Sequence, residues 1–156
     1  GGFNIEGLAA TLEGHLLIGL RNPLFDKKAI IIPVENPSGF VEGKDAELGA
    51  PVLIDLNGQG IRCIEPIDDG YLIVAGDRDG GGRFHLHRWS GKGARTSLLD
   101  FDVPDDFGPE AMIRFDNDRD EWLILSDDGS RTIDDMDCKE VEPADSRRFR
   151  GRLLSL

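Results

Sequence analysis

Three copies of one short phrase limit what this chain can fold into more than any other feature. Asn4-Ile5-Glu6-Gly7-Leu8 precedes a Gly14 turn and the apolar run Leu16-Leu17-Ile18. Gly60-Ile61-Arg62-Cys63-Ile64 precedes Gly70 and Leu72-Ile73-Val74, and Gly108-Pro109-Glu110-Ala111-Met112 precedes Glu121 and Leu123-Ile124-Leu125. Each copy sets a charged residue in a small-residue strand, then a turn, a bulky residue (His15, Tyr71, Trp122) and a continuous apolar strand. Glu6, Arg62 and Glu110 fall in register, 56 and 48 residues apart. A repeat of that period, one small sheet per copy, is how a β-propeller is written in sequence. The expectation is an all-β chain of about three four-stranded antiparallel blades, near 3–57, 60–103 and 108–156. These would form a partial or half propeller in a single fragment spanning 1–156.

Within each copy the strands follow from local chemistry. Twenty glycines and eight prolines among runs of Val, Ile and Leu suit turns between short strands better than helices. The first copy reads as strands at 3–12, His15–Arg21, Ala29–Ile32 and Val52–Leu56, with a loop over 37–50. The run Leu16-Leu17-Ile18 predicts a hairpin buried on both sides. In the second copy Phe84-His85-Leu86-His87 alternates, so both histidines share one face, expected to be partly exposed. The third copy gives 110–115 and Trp122–Ser126, then a polar tract, with a last strand at Phe149–Leu154. Two and three-quarter blades cannot close a ring, and open edges with an apolar face invite association. Either the chain belongs to a longer one that supplies N-terminal blades, or it pairs as a homodimer with two-fold symmetry.

Composition removes several function classes. The net charge of −12 repels phosphate backbones and leaves no basic stripe, so nucleic acid is a poor partner. Cys63 and Cys138 form no CxxC or zinc spacing, and Cys63 reads as a packed thiol. There is no apolar stretch of membrane-span length, no signal peptide and no Gly-x-Ser-x-Gly elbow, which disfavours membrane spanning and covalent acyl transfer.

In a propeller blade the first strand lines the central channel, and antiparallel pairing sets its start beside the end of the second strand. One mouth would therefore collect Asn4, Glu6 and Arg21 from the first copy. Arg62, Asp77 and Arg78 come from the second, and Glu110, Asp127 and Asp128 from the third. Glu6, Arg62 and Glu110 are the candidate catalytic residues, and the other six are candidate ligand contacts. Such a mouth can coordinate a hard cation through carboxylates or grip a small anionic ligand through guanidinium forks. The same charges can equally serve only as salt bridges between strand ends. Asp116, Asp118 and Asp120 alternate as in a calcium loop, but the glycine at the sixth place is absent and Asp127 stands where a bidentate Glu is needed. An acidic turn explains them equally. Asp77 to Gly82 could cradle an anion but lacks the Lys-Ser/Thr of a phosphate loop.

The phrases Asn4 to Leu8, Leu16 to Pro23, Ile61 to Glu65, Tyr71 to Gly76, Pro109-Glu110-Ala111, Leu123 to Gly129 and Phe149-Arg150-Gly151 resemble domain-of-unknown-function family 3616, a bacterial family. The opening phrase is also similar, more distantly, to the propeller family labelled "esterase-like activity of phytase". The resemblance implies a propeller with Glu6, Arg21, Arg62, Glu110, Asp127 and Asp128 at motif positions, in the bacterial cytoplasm or periplasm. Full members of the first family are longer than this chain. By analogy it also implies a calcium-assisted phosphoesterase or esterase-like hydrolase. There the carboxylates would hold the metal while Arg21 and Arg62 neutralise developing charge. A non-catalytic module that binds a ligand or protein is the alternative.

Overall fold

The computed structural model describes residues 2–77, 82–115 and 121–156. The architecture is all-β and antiparallel, built from three principal sheets. β1 (Asn4–Ala10), β2 (Leu16–Asn22), β3 (Ala29–Val34) and β4 (Val52–Ile54) form the first, in the order β1-β2-β3-β4. β5 (Gly60–Ile67), β6 (Gly70–Gly76), β7 (His85–Trp89) and β8 (Ser97–Leu99) repeat that order in the second. β9 (Pro109–Arg114), β10 (Glu121–Ser126) and β13 (Gly151–Ser155) make the third, ordered β13-β10-β9. Between them β11 (Thr132–Ile133) and β12 (Met136–Asp137) form a small hairpin. Its two turn residues, Asp134 and Asp135, have φ of 48° and 64°, the pair of positive values that matches a two-residue hairpin turn to strand twist.

The chain divides into two compact units, one running through Asp102 and the other from Val103 to Leu156. In the first, the two four-stranded sheets pack face to face. Ala9, Leu17, Ala29, Ile31, Ile54 and Leu56 of one meet Ile61, Ile64, Tyr71, Ile73, Ala75 and Trp89 of the other. The approach is close because Gly7 and Gly19, paired across β1 and β2, carry no side chain where β5 arrives. A Cβ on Gly7 would lie 2.8 Å from Ile64 Cγ2, and one on Gly19 would lie 2.8 Å from Ile61 Cγ2. Each fully buried isoleucine stabilises this contact by about 1.5–3 kcal/mol. In the second unit Phe107, Met112, Trp122, Ile124, Cys138 and Val141 are buried.

Several local expectations need correcting. The β2 run sets half-buried Leu16 and Ile18 against buried Leu17 and Gly19, with Leu20 buried further along, so one face of this hairpin is only partly covered at its Leu16–Ile18 end. The segment expected as a bare loop contains a short helix, α1 (Pro37–Val41), started by Pro37 at its first turn. His87 is 2% exposed rather than on a wet face, because it stands opposite Ile73 in the row turned toward the first sheet. Among the described residues no helix is long and apolar enough to cross a membrane.

Candidate functional site

The three register-matched charges share a backbone irregularity. Ile5 pairs with Leu20 and Gly7 with Gly19, so Glu6 is an extra residue in β1. Ile61 pairs with Ala75 and Cys63 with Val74, leaving Arg62 extra in β5. Pro109 pairs with Ser126 and Ala111 with Leu125, leaving Glu110 extra in β9. A bulge of this kind interrupts the ladder and re-aims one side chain. The sequence phrase is therefore a bulge motif, with the charge at the bulged position. Arg21 is likewise skipped in β2, between Leu20 and Asn22.

In the first unit these irregularities bring Glu6, Arg21 and Arg62 together. Arg21 Nη1 donates to Glu6 Oε1 at 2.9 Å, and Arg62 Nη1 lies 3.4 Å from Glu6 Oε2. The side chains of Arg62, Arg21 and Glu6 are 7%, 15% and 21% exposed, so one carboxylate answers two largely desolvated guanidinium groups. Arg21 Nε is buried without a hydrogen-bond partner. The Arg62 guanidinium also sits 5.5 Å from the Phe84 ring centroid, a cation–π distance. Glycine is required at Gly76 for this stack, since a Cβ there would press on both Phe84 and Arg62.

Gln59, which the sequence reading missed, braces the neighbouring strand ends. Its amide donates to Asp77 Oδ1 at 3.0 Å and to the Arg83 carbonyl at 2.6 Å, and its carbonyl oxygen meets His85 Nδ1 at 2.8 Å. Asp77 is thus tied into a bracing network at the end of β6. The only sequence signal was Gln59 standing directly before the repeat phrase. Asn4 pairs with Asn22 at the start of β1. Arg78 lies outside the described residues, as do Asp116, Asp118 and Asp120.

The second unit holds Glu110, half-buried on β9, together with Asp127 and Asp128 beyond β10. Asp128 is 4% exposed and saturated. Its Oδ1 accepts from Ser126 Oγ at 2.9 Å and Arg150 Nη2 at 2.7 Å; its Oδ2 accepts from Arg150 N at 2.8 Å and Nε at 2.9 Å. The Arg150 guanidinium foremost, with the Ser126 hydroxyl and the Arg150 amide, holds the Asp128 carboxyl down to about 2. Arg150 continues to Asp106 Oδ2 at 3.0 Å and packs over Phe107 at 5.6 Å. Asp127 is exposed and accepts only from the Gly129 amide in a local turn. An open concavity of about 510 Å³ lies beside this group, lined by Asp106, Asp127, Asp128, Ser130, Arg131 and Thr132.

The family model for a protein of unknown function (DUF3616) matches residues 1–135. This chain belongs to the DUF3616 family. The match takes in all three bulge phrases of the DUF3616 chain and stops before Arg150 and β13. The chain matches no curated protein and no solved structure.

Among the described residues of this DUF3616 member, no group of three or more His, Cys, Asp or Glu side chains could hold a metal ion. Calcium would also have to approach Glu6 past two guanidinium groups, and Coulomb repulsion at that range opposes it. Within the first unit, Glu6 stands between two guanidinium groups, each a donor fork suited to oxyanions.

Proposed function

We propose that this DUF3616 chain is a propeller-type module, its three sheets acting as blades, that binds a small anionic ligand without transforming it. The observation that carries the reading is the convergence of two guanidinium groups, Arg21 and Arg62, on Glu6 in a desolvated setting. The recurrence of a bulged charge in every first strand supports the blade reading, because a channel-lining strand is where a bulge can turn a side chain toward the axis. Arg forks suit carboxylate or phosphate oxygens, each charge-assisted bond contributing about 1.5–3 kcal/mol. Glu6 occupies the grip when no ligand is bound, so a ligand competes with it. Phe84 flattens and positions the Arg62 plane. A net charge of −12 makes a compact anion a better fit than a polyanionic nucleic acid.

Glu6 tells this reading apart from a metal-assisted hydrolase by the sign of its effect. In calorimetry with inorganic phosphate and with a tricarboxylate, Glu6→Gln is expected to bind tighter and Arg21→Gln and Arg62→Gln to lose binding by roughly tenfold or more. Calcium should give no heat. Calcium binding with phosphoester turnover that disappears in Glu6→Gln and Glu110→Gln would replace the binding module with the hydrolase.

A further inference from the structure

Gln59 stands one residue ahead of the Gly60-Ile61-Arg62 phrase and is 6% exposed. Both protons of its side-chain amide are committed, one to Asp77 Oδ1 at 3.0 Å and one to the Arg83 carbonyl at 2.6 Å. The remaining oxygen is an acceptor, so His85 Nδ1, 2.8 Å away, is the protonated nitrogen and donates to it. All three partners lie in the first unit and outside the Glu6–Arg21–Arg62 cluster. Gln59 therefore acts on its neighbours in the chain and not on a ligand.

Two of those partners flank Phe84. The Arg83 carbonyl belongs to the peptide group that leads into Phe84, and His85 follows it. Phe84 precedes the β6–β7 ladder, whose first β7 residue, His85, pairs with Ala75. Strand pairing thus stops one residue short of Phe84, and the Gln59 amide grips the chain on either side of it. The ring passes this placement on to Arg62. Its centroid is 5.5 Å from the guanidinium carbon, and Gly76 closes the space around both, since an added Cβ would lie 2.7 Å from Phe84 Cε1 and 3.1 Å from Arg62 Cγ. In packing this close a shift of Phe84 has to move Arg62.

We propose that Gln59 is a positioning residue for the anion grip. It holds the Arg83–Phe84–His85 segment, Phe84 holds the Arg62 plane, and Arg62 Nη1 reaches to 3.4 Å from Glu6. The inference rests on the anion-binding reading and adds to it the residue that sets the geometry of one of its two forks. Donors are placed by the residues packed and bonded behind them, and a loosened support misplaces a fork without removing it. Arg21 does not depend on this path, because its bond to Glu6 spans the β1–β2 hairpin. Loss of Gln59 should therefore weaken ligand binding through Arg62 alone.

Calorimetry with inorganic phosphate on Gln59→Met, made in the wild-type, Arg21→Gln and Arg62→Gln chains, tests this. Binding should weaken about five- to tenfold in the first two, the weight of one cation–π contact, and by less than about twofold where Arg62 is already replaced. A second readout needs no ligand. Arg62 Nε is buried, so its N–H proton should give a nitrogen–proton NMR signal displaced by the Phe84 ring current. That displacement should collapse in Gln59→Met, with Phe84→Leu as the reference for its loss, while the Arg21 signal holds. His85→Phe, at a half-buried position, cuts one of the two ties and should give a smaller change in the same direction, which keeps the test open if Gln59→Met does not fold. Equal weakening with and without Arg62, or an Arg62 signal that Gln59→Met leaves in place, would overturn the proposal. Absence of phosphate binding in the wild type would count against the anion reading alone, and the Arg62 signal would still decide whether Gln59 places that side chain.

Discussion

The Glu6 cluster in the first unit and the Asp128 cluster in the second use the same residue types to opposite ends. Asp128 takes four donors at 2.7–2.9 Å, three of them from Arg150 alone. Glu6 faces two arginines from different strands, one at 2.9 Å and one at 3.4 Å, beside an Arg21 Nε that is buried without a hydrogen bond. A buried carboxylate whose lone pairs are all used has nothing left to offer a ligand, and its charge serves the fold. Glu6, held by two guanidinium groups from different strands, is the carboxylate that the proposed anionic ligand would displace. The two clusters differ in the donors that each carboxylate receives rather than in residue type.

Breaking the saturated cluster should have the largest effect. Arg150→Ala leaves Asp128 buried and unpaired, and the expected loss is about 3–5 kcal/mol in denaturant unfolding of the second unit. A loss under about 1 kcal/mol would mean that Asp128 is not dependent on Arg150. The Glu6→Gln exchange should cost less, about 1–3 kcal/mol, and the added anion should restore the loss. Arg150→Ala should show no such rescue.

Acid sharpens the contrast. The Asp128 carboxyl is depressed from its ordinary 3.8 to about 2, so its contribution to stability is complete above pH 3.8 and is lost as pH falls toward 2. A second acid-sensitive group lies in the first unit. The Thr96 hydroxyl donates its proton to the Asp55 carbonyl at 2.7 Å, so His87 Nδ1, 2.9 Å from Thr96 Oγ1, must donate to the hydroxyl oxygen. Protonation would then put a second N–H at Nε2, which is buried without a partner. Burial first, then the His85 charge, pushes the His87 pKa down from 6.5. Its contribution is present above pH 6.5 and declines below it. Thermal melts should therefore show an upper acid step that His87→Gln removes, and a lower one that it leaves in place. Asp127→Asn should have the smallest effect, within about 0.5 kcal/mol and with anion binding unchanged, since Asp127 is exposed and bonded only within its turn.

Much of the fold was legible because strand pairing and turn chemistry are local. The repeated phrase named three strands and set a charged residue at the same place in each; that this place is a bulge was visible only in the strand pairing. The convergence of Glu6 and Arg21 was readable from hairpin antiparallelism. Blade analogy also set Arg62 at that rim, but its 3.4 Å distance to Glu6 depends on how closely two sheets approach, which Gly7 and Gly19 set. His87 escaped for a related reason. Alternation places it on a face, but only the neighbouring sheet decides that the face is covered.

The sequence by itself determined the all-β character, the three charges in register and the net negative charge, for these follow from residue period, turn residues and ionisation. Only the tertiary structure decided which charges are spent. Whether a carboxylate receives four donors or bridges two guanidinium groups depends on residues distant in the chain, and that pairing fixes Asp128 as a brace and sets Glu6 between Arg21 and Arg62.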